Sequence, residues 1–242
     1  DRGARVAAVD LSADGLAETA SIARAADRLS THTVDITDRG AVDALPEAVH
    51  AAHGRVDGLL NVAGIIQPFV RFAELERRQM EKVMAVNFWG VVHTTQAFLP
   101  HLTTRPDAAV VNVSSMGALA PVPGQSVYGA SKAAVMLLTE ALYAELGGTA
   151  VAVTVVFPGG VATHIAENSG ASIPGRSADA AASAGSLTTA PDAARQIIEK
   201  GVEKGHFRVV IGKDARMLDG MSRLSPRRAT DLIAKKMASL LS

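Results

Sequence analysis

Short runs of β-branched residues alternate with longer Ala-rich stretches along most of the chain, and this alternation restricts its fold more than any other feature. The apolar runs fall at 5–9, 32–34, 58–62, 109–113, 151–156 and 208–211, and helical spacing runs through 16–26, 41–53, 74–99, 127–146 and 192–204. A strand that is apolar at successive positions is buried on both faces, and a helix after each strand returns the chain for a parallel neighbour. The pattern predicts an α/β fold, a doubly wound parallel sheet with helices on both faces, in a single domain over 1–242.

Local chemistry marks several boundaries. Thr189 precedes Ala190-Pro191-Asp192 and reads as a helix cap, with Pro191 in the first turn where its missing N–H costs little. Gly147-Gly148 reads as a left-handed cap ending the helix before it. The stretch 169–189 is rich in Ala, Ser and Gly and reads as part of a mobile lid over 164–190. Beyond residue 212 a helical extension is expected, with a helix near 229–241. Leu232, Ile233, Met237 and Leu240 put one face of that helix in contact with its own domain or a partner subunit. The alternative for that face, with Arg227, Arg228, Lys235 and Lys236 nearby, is a membrane surface.

The chemistry gathers where strands end. Tyr128 and Lys132 are four residues apart at the start of a predicted helix, so both lie on one face, a turn apart. Ser115 follows the 109–113 strand in Asn112-Val-Ser-Ser-Met-Gly117, Asn61-Val-Ala-Gly64 closes another strand, and Pro158-Gly-Gly-Val-Ala-Thr163 closes a third. Asn87 lies within the helix predicted over 74–99. The C-terminal ends of parallel strands are where open α/β sheets bind ligands. Taken singly, a serine is more often a turn residue and a Tyr–Lys pair a solvated helix face.

In their order and spacing these motifs resemble the short-chain dehydrogenase/reductase family, from near residue 1 to about residue 212. The resemblance implies a Rossmann-type fold and an oxidoreductase that moves hydride between NAD and a secondary alcohol or ketone. It implies Tyr128 as general acid/base, Lys132 as the cation that lowers the phenol pKa and holds the nicotinamide ribose, Ser115 as a donor to the substrate oxygen, and Asn87 as the holder of a relay water. A phenol with a pKa near ~10 is a poor base at neutral pH, which is why a neighbouring ammonium matters. A non-catalytic dinucleotide-binding or regulatory protein on the same fold is the alternative, but such a module has no need of Ser115, Tyr128 and Lys132 together.

The resemblance also assigns cofactor residues. Asp10, at a strand end, would accept from the adenosine ribose hydroxyls and repel a 2′-phosphate, and Leu11 adds no cation, so NAD is expected over NADP. Asp35 and the Ile36 backbone would lie by the adenine, although Asp35 also reads as a local cap. Asn61, Ala63 and Gly64 would line the ribose and phosphates. Pro158, Gly159, Val161 and Thr163 would meet the nicotinamide end, while Gly160 reads as adding only backbone freedom. The family's Gly-rich phosphate turn, GxxxGxG, is not found in the sequence. With it the family's central strand is missing, which implies an N-terminal truncation and exposed faces on the neighbouring strands. The alternative is a short chain that binds cofactor poorly.

Composition narrows partners. The 24 basic and 24 acidic residues balance, leaving no electrostatic footprint for nucleic acid. There is no Cys, so disulfides, thiolate metal sites and Cys nucleophiles are out, and the seven His show no metal-ligand spacing. No apolar run has the roughly 18 residues of a spanning segment, and no secretory signal is visible. A cytoplasmic enzyme is expected, without an integral membrane segment, acting on a small lipophilic alcohol or ketone. The helices at 74–99 and 127–146 are apolar on more than one face, which predicts a homodimer or homotetramer.

Overall fold

A computed structural model describes residues 2–174 and 187–241. The predicted strands form as β1 (Val6–Asp10), β2 (Leu29–Thr33), β3 (Gly58–Asn61), β4 (Ala108–Val113), β5 (Val151–Pro158) and β8 (Arg208–Ile211), with two short additions, β6 (Val161–Ala162) and β7 (Thr188–Thr189). Every pairing is parallel. β2 starts earlier than expected because its polar Leu29-Ser-Thr start pairs with Val6, Ala7 and Ala8 of β1.

The ladders form separate pieces. β3, β4, β5 and β8 make one sheet in that order, β1 pairs only with β2, and β6 with β7. No ladder joins β1 to β3, and apolar side chains on those strands are open: Val6 is 47% and Leu60 37% exposed. This is the exposure expected when their inner edges have no strand between them.

Burial is two-sided where the sheet is continuous. Val110 packs with Leu45 and Val49 of α3 (Leu45–His53), Phe98 and Leu102 of α5 (Gly90–Leu102) and Leu142 of α6 (Ser126–Glu145). The next residue, Val111, joins the opposite core with Ala193 and Ile197 of α8 (Ala190–Ile197) and Ile211 of β8.

Other elements differ from expectation in instructive ways. The helix predicted over 41–53 is divided into α2 (Arg39–Asp43) and α3, with Pro46 in the first turn of the second. The helix predicted over 74–99 is α4 (Arg77–Met84), a π turn at Ala85–Trp89, and then α5. Thr189 caps α8 through Asp192 N at 3.3 Å. The helix α6 ends at Glu145 with Leu146 at its cap in a right-handed conformation; neither Gly147 nor Gly148 adopts a positive φ, so the expected left-handed glycine cap is not used. The helical extension expected beyond residue 212 consists of α9 (Lys213–Leu224) and α10 (Pro226–Lys236), the second starting and ending earlier than the helix expected near 229–241. Leu218, Ala229 and Ile233 bury against Ala120, so the apolar face once weighed for a membrane packs within the chain. Among the described residues no helix is long and apolar enough to cross a membrane. The middle of the expected lid, residues 175–186, lies outside the described residues; its first part is α7 (Ile165–Asn168).

Candidate active site

β4 delivers Ser114 and Ser115 at its C-terminal end. Ser114 Oγ donates to the main-chain oxygen of Lys132 at 2.7 Å, which fixes α6 against the strand end. Ser115 is extended, accepts from Gly117 N at 3.0 Å, and faces the Tyr128 phenol closely enough to oppose the rise in its pKa. Two glycines let this approach happen. A Cβ on Gly117 would meet the Tyr128 ring at 3.4 Å, and one on Gly129 would lie 3.0 Å from Gly117 O. The structure thus joins Ser115 and Tyr128 directly.

Lys132 is 3% exposed, and Nζ donates to Val113 O at 3.0 Å. Burial lowers its pKa from 10.5 to about 8. Burial also raises the Tyr128 phenol, more than the Ser115 hydrogen bond lowers it. The sequence-based expectation was a phenol lowered by the ammonium. In this conformation Nζ is turned to a strand carbonyl, and burial dominates both groups.

Asn87 sits in the π turn, fully buried. Such single-turn widenings are frequent at functional sites. Its Nδ2 donates to Ile65 O at 2.9 Å and Ser131 Oγ at 3.0 Å, and its Oδ1 accepts from Ile65 N at 2.8 Å. Ser131 Oγ in turn donates to Tyr128 O at 2.7 Å. A Cβ on Gly64 would lie 3.1 Å from Lys132 Nζ and 3.4 Å from Asn87 Oδ1. Gly64 therefore keeps the space beside both groups clear.

The remaining expected residues fall into two kinds. Asn61 is the centre of a buried chain: Thr94 Oγ1 donates to its oxygen at 2.7 Å, and its amide donates to Asn112 Oδ1 at 2.8 Å and Thr95 Oγ1 at 3.2 Å. Its side chain holds β3, β4 and α5 together, which leaves mainly its backbone for a ligand. Asp35 Oδ1 accepts from Thr37 N and Oγ1 at 2.8 and 2.7 Å, the local role weighed for it. Ile36 packs on Gly90, where a Cβ would meet its Cδ1 at 2.5 Å. Asp10 is exposed at the end of β1, and one carboxylate oxygen accepts from Ser12 N at 2.8 Å. Leu11 beside it is exposed, as are Ala63 and Thr163.

The Pro158–Val161 turn has an anchor the sequence did not reveal. Asp214 Oδ2 accepts from Gly160 N at 2.8 Å, and Gly159 N donates to Ile211 O at 2.8 Å. A Cβ on Gly159 would overlap the Asp214 carboxylate, and one on Gly160 would meet Leu187 Cδ2 at 2.5 Å. Gly160 has no positive φ, so it supplies room rather than the conformational freedom expected of it. His164 is exposed and pairs with Glu167 at 2.8 Å.

A parallel α/β fold with serine, tyrosine, lysine and asparagine joined at its strand ends is the architecture of a Rossmann-type oxidoreductase. The chain belongs to the short chain dehydrogenase family, which it matches over residues 1–173. It is 36% identical over 244 residues to the SadH protein of Mycobacterium tuberculosis, covering 98% of this chain and 88% of that one. A short-chain dehydrogenase/reductase from Burkholderia phymatum, solved with NAD, superposes with a TM-score of 0.81 at 26% identity over 93% of this chain and 86% of its own. A serine dehydrogenase solved with NADP+ shares the fold at 24% identity, with a TM-score of 0.74 over 87% and 84%. Members of this family bind a nicotinamide dinucleotide, and the fold alone does not choose between its two forms.

Proposed function

We propose that the chain transfers hydride between NAD(H) and a secondary alcohol or ketone, with Tyr128 as general acid/base. The observation that carries the reading is the gathering of Ser115 Oγ and the Tyr128 ring around Gly117, beside a buried Lys132 one helical turn on. When bound, the nicotinamide supplies the hydride acceptor or donor. Tyr128 gives its phenolic proton to a ketone oxygen or takes one from an alcohol. Ser115 donates to the same oxygen. Asn87 has both N–H bonds and one lone pair engaged, so its part in a relay is to hold Ile65 and accept from a single water.

The donor set fits a nicotinamide dinucleotide. Lys132 has three N–H bonds and Val113 O takes one, which suits the rest to ribose hydroxyls. Asp10 keeps a carboxylate oxygen for the adenosine ribose, and its charge opposes a 2′-phosphate; this supports NAD. Asp35, Ile36, Asn61, Ala63 and Gly64 belong to the adenosine side in this reading, and Pro158, Gly159, Val161 and Thr163 to the nicotinamide side. The backbone at Ala63 and Gly64, and Thr163 as an alternative to its carboxamide role, are the groups this reading gives the phosphates.

For the substrate, a hollow of about 360 Å³ beside the start of α6 is lined mostly by apolar residues such as Val70, Phe72, Val122 and Leu241, with Arg71, Ser126 and Thr230 among them, which supports a lipophilic molecule. In this reading residues 164–190 are its lid, 213–242 a helical wall, and the enzyme works as a homodimer or homotetramer. The test is turnover of 2-octanol, cyclohexanol and 3-hydroxybutyrate with NAD+ and with NADP+, in wild type and Tyr128→Phe. Reduction of NAD+ by the neutral alcohols is expected, falling roughly 10²–10⁴-fold in Tyr128→Phe with NAD+ affinity kept. Near-wild-type turnover in that variant refutes the role of Tyr128.

A further inference from the structure

The loop after β3 reaches into the start of the helix that carries Tyr128. Gln67 is fully buried, and its Oε1 accepts from Val127 N at 2.9 Å and from Tyr128 N at 3.0 Å, while Nε2 donates to Gly124 O at 3.0 Å. Gln125 answers from the other side, Nε2 donating to Gln67 O at 2.6 Å. The first N–H groups of a helix have no intrahelical acceptor and are normally taken by the capping side chain. Gln125 holds the cap position of α6 but makes no capping bond. A residue 60 and 61 positions away takes its place.

The loop itself is rigidly held. Both main-chain groups of Ile65 are bonded to the Asn87 amide, and Ile66 N donates to Ser169 Oγ at 2.9 Å. The acceptor that Gln67 presents is therefore fixed with respect to Asn87 and the core. Tyr128 lies in the first turn of α6, the part of a helix that frays most readily, and its ring must stay on Gly117 and Ser115.

We propose that Gln67 is a positioning residue for Tyr128: by capping α6 from the β3 loop it holds the first turn, and so the phenol, in register with Ser115. The inference rests on the reading of Tyr128 as acid/base. A misplacement of about 1 Å at a reacting group lowers rates by about 10²-fold, which sets the scale of what the cap protects.

The test compares Gln67→Met, of similar volume but without an oxygen, with Gln67→Glu, which keeps an oxygen for both N–H groups. Amide exchange on the cofactor-free protein reads the cap directly. In Gln67→Met the Val127 and Tyr128 amides should lose about tenfold in protection, the scale of one net hydrogen bond, while the α6 amides at 139–142 keep theirs. With NAD+ and the fastest of the three alcohol probes, kcat should fall roughly 10- to 100-fold and KM for NAD+ should stay within about twofold. Gln67→Glu should recover the protection at 127 and 128 and part of the rate, since its second oxygen opposes Gly124 O where Nε2 donated. If Gln67→Met does not fold, Gln67→Asn, one methylene too short to reach, makes the same comparison. Unchanged protection at 127 and 128, equal loss along all of α6, or unchanged kcat beside an inactive Tyr128→Phe each overturns the proposal. Persisting turnover in Tyr128→Phe instead overturns the role of the tyrosine and leaves the amide result standing.

Discussion

Lys132 carries a conflict between stability and chemistry. A buried ammonium with one carbonyl partner is costly, and its pKa near 8, against 10.5, records that cost. The sign follows from proton binding. Between about pH 8 and 10.5 the unfolded chain holds the proton on this lysine and the folded chain has released it, so folding stability gained from this site rises with pH through that window. Below pH 8 the full penalty applies, roughly 3 kcal/mol for a shift of this size. Lys132→Met removes the penalty and about 1 kcal/mol of hydrogen bond to Val113 O. The variant should therefore be about 2 kcal/mol more stable than wild type at pH 7, with the difference fading by pH 10.5, and should have lost turnover. Urea unfolding at the two pH values checks this, and a less stable variant at pH 7 contradicts the account. The residues with a local signature were legible beforehand: Tyr128 and Lys132 by their helical spacing, and Ser115 by its strand end. Gln67 and Asp214 were not. Their partners are the N–H groups of Val127, Tyr128 and Gly160, which lie 54 to 61 residues away, and a glutamine in a loop or an aspartate after a strand carries no local sign of that.

At the level of elements, β4 and β5 were readable because they are buried on two faces and so read as unbroken apolar runs, as Val110 and Val111 show by joining opposite cores. The helix α9 was not readable as an element of its own. Only Ala215 and Leu218 of its face are buried, and its place is set by charge rather than by an apolar stripe. Arg208 of β8 supplies that charge. It bonds Asp219 of α9 at 2.7 Å and Glu140 of α6 at 3.3 Å, and its guanidinium lies 3.9 Å from the centre of the Phe157 ring of β5. One side chain thereby ties the helix bearing Tyr128 to the helix bearing Asp214, the anchor of the Pro158–Val161 turn. Removing the cation from a buried pair costs about 3–5 kcal/mol, and the partial exposure of Glu140 and Asp219, with Arg223 still bonded to Asp219 at 3.2 Å, reduces this to about 2 kcal/mol. Arg208→Met should lower the unfolding free energy measured in urea by that much, and the loss should shrink when Asp219→Asn is added, since the neutral amide no longer needs the cation. An additive double mutant would show that the two residues do not act as a pair.

For the whole molecule, the question is what covers the outer faces of α4, α5 and α6. Val83, Val91, Phe98, Val135 and Leu142 of these helices are buried in the chain's own core and are not available to a partner. What remains outside is still apolar. Trp89 is 51% and Leu137 65% exposed, and on α6 the residues Ala130, Ala134, Leu137, Ala141 and Ala144 follow one another at intervals of four and three along the side away from the core. A helix packed on a sheet needs one buried stripe, and a second stripe of alanines lets another helix approach closely. Two-fold pairing is the commonest closed arrangement for such a self-complementary face. The pairing residue is then Leu137 and not its neighbour Leu138, which packs partly against the core. Each Leu137 side chain removed from an interface costs about 1.5–3 kcal/mol, and a two-fold axis counts it twice. Leu137→Arg should therefore weaken the dimer by about 100-fold or more, and with the brace on α6 gone, activity should fall at concentrations where the variant is monomeric. Leu138→Arg should instead lower the unfolding midpoint. Light scattering across a dilution series, run beside the activity assay, decides it: a wild-type chain that is monomeric and fully active at assay concentration rules the pairing out.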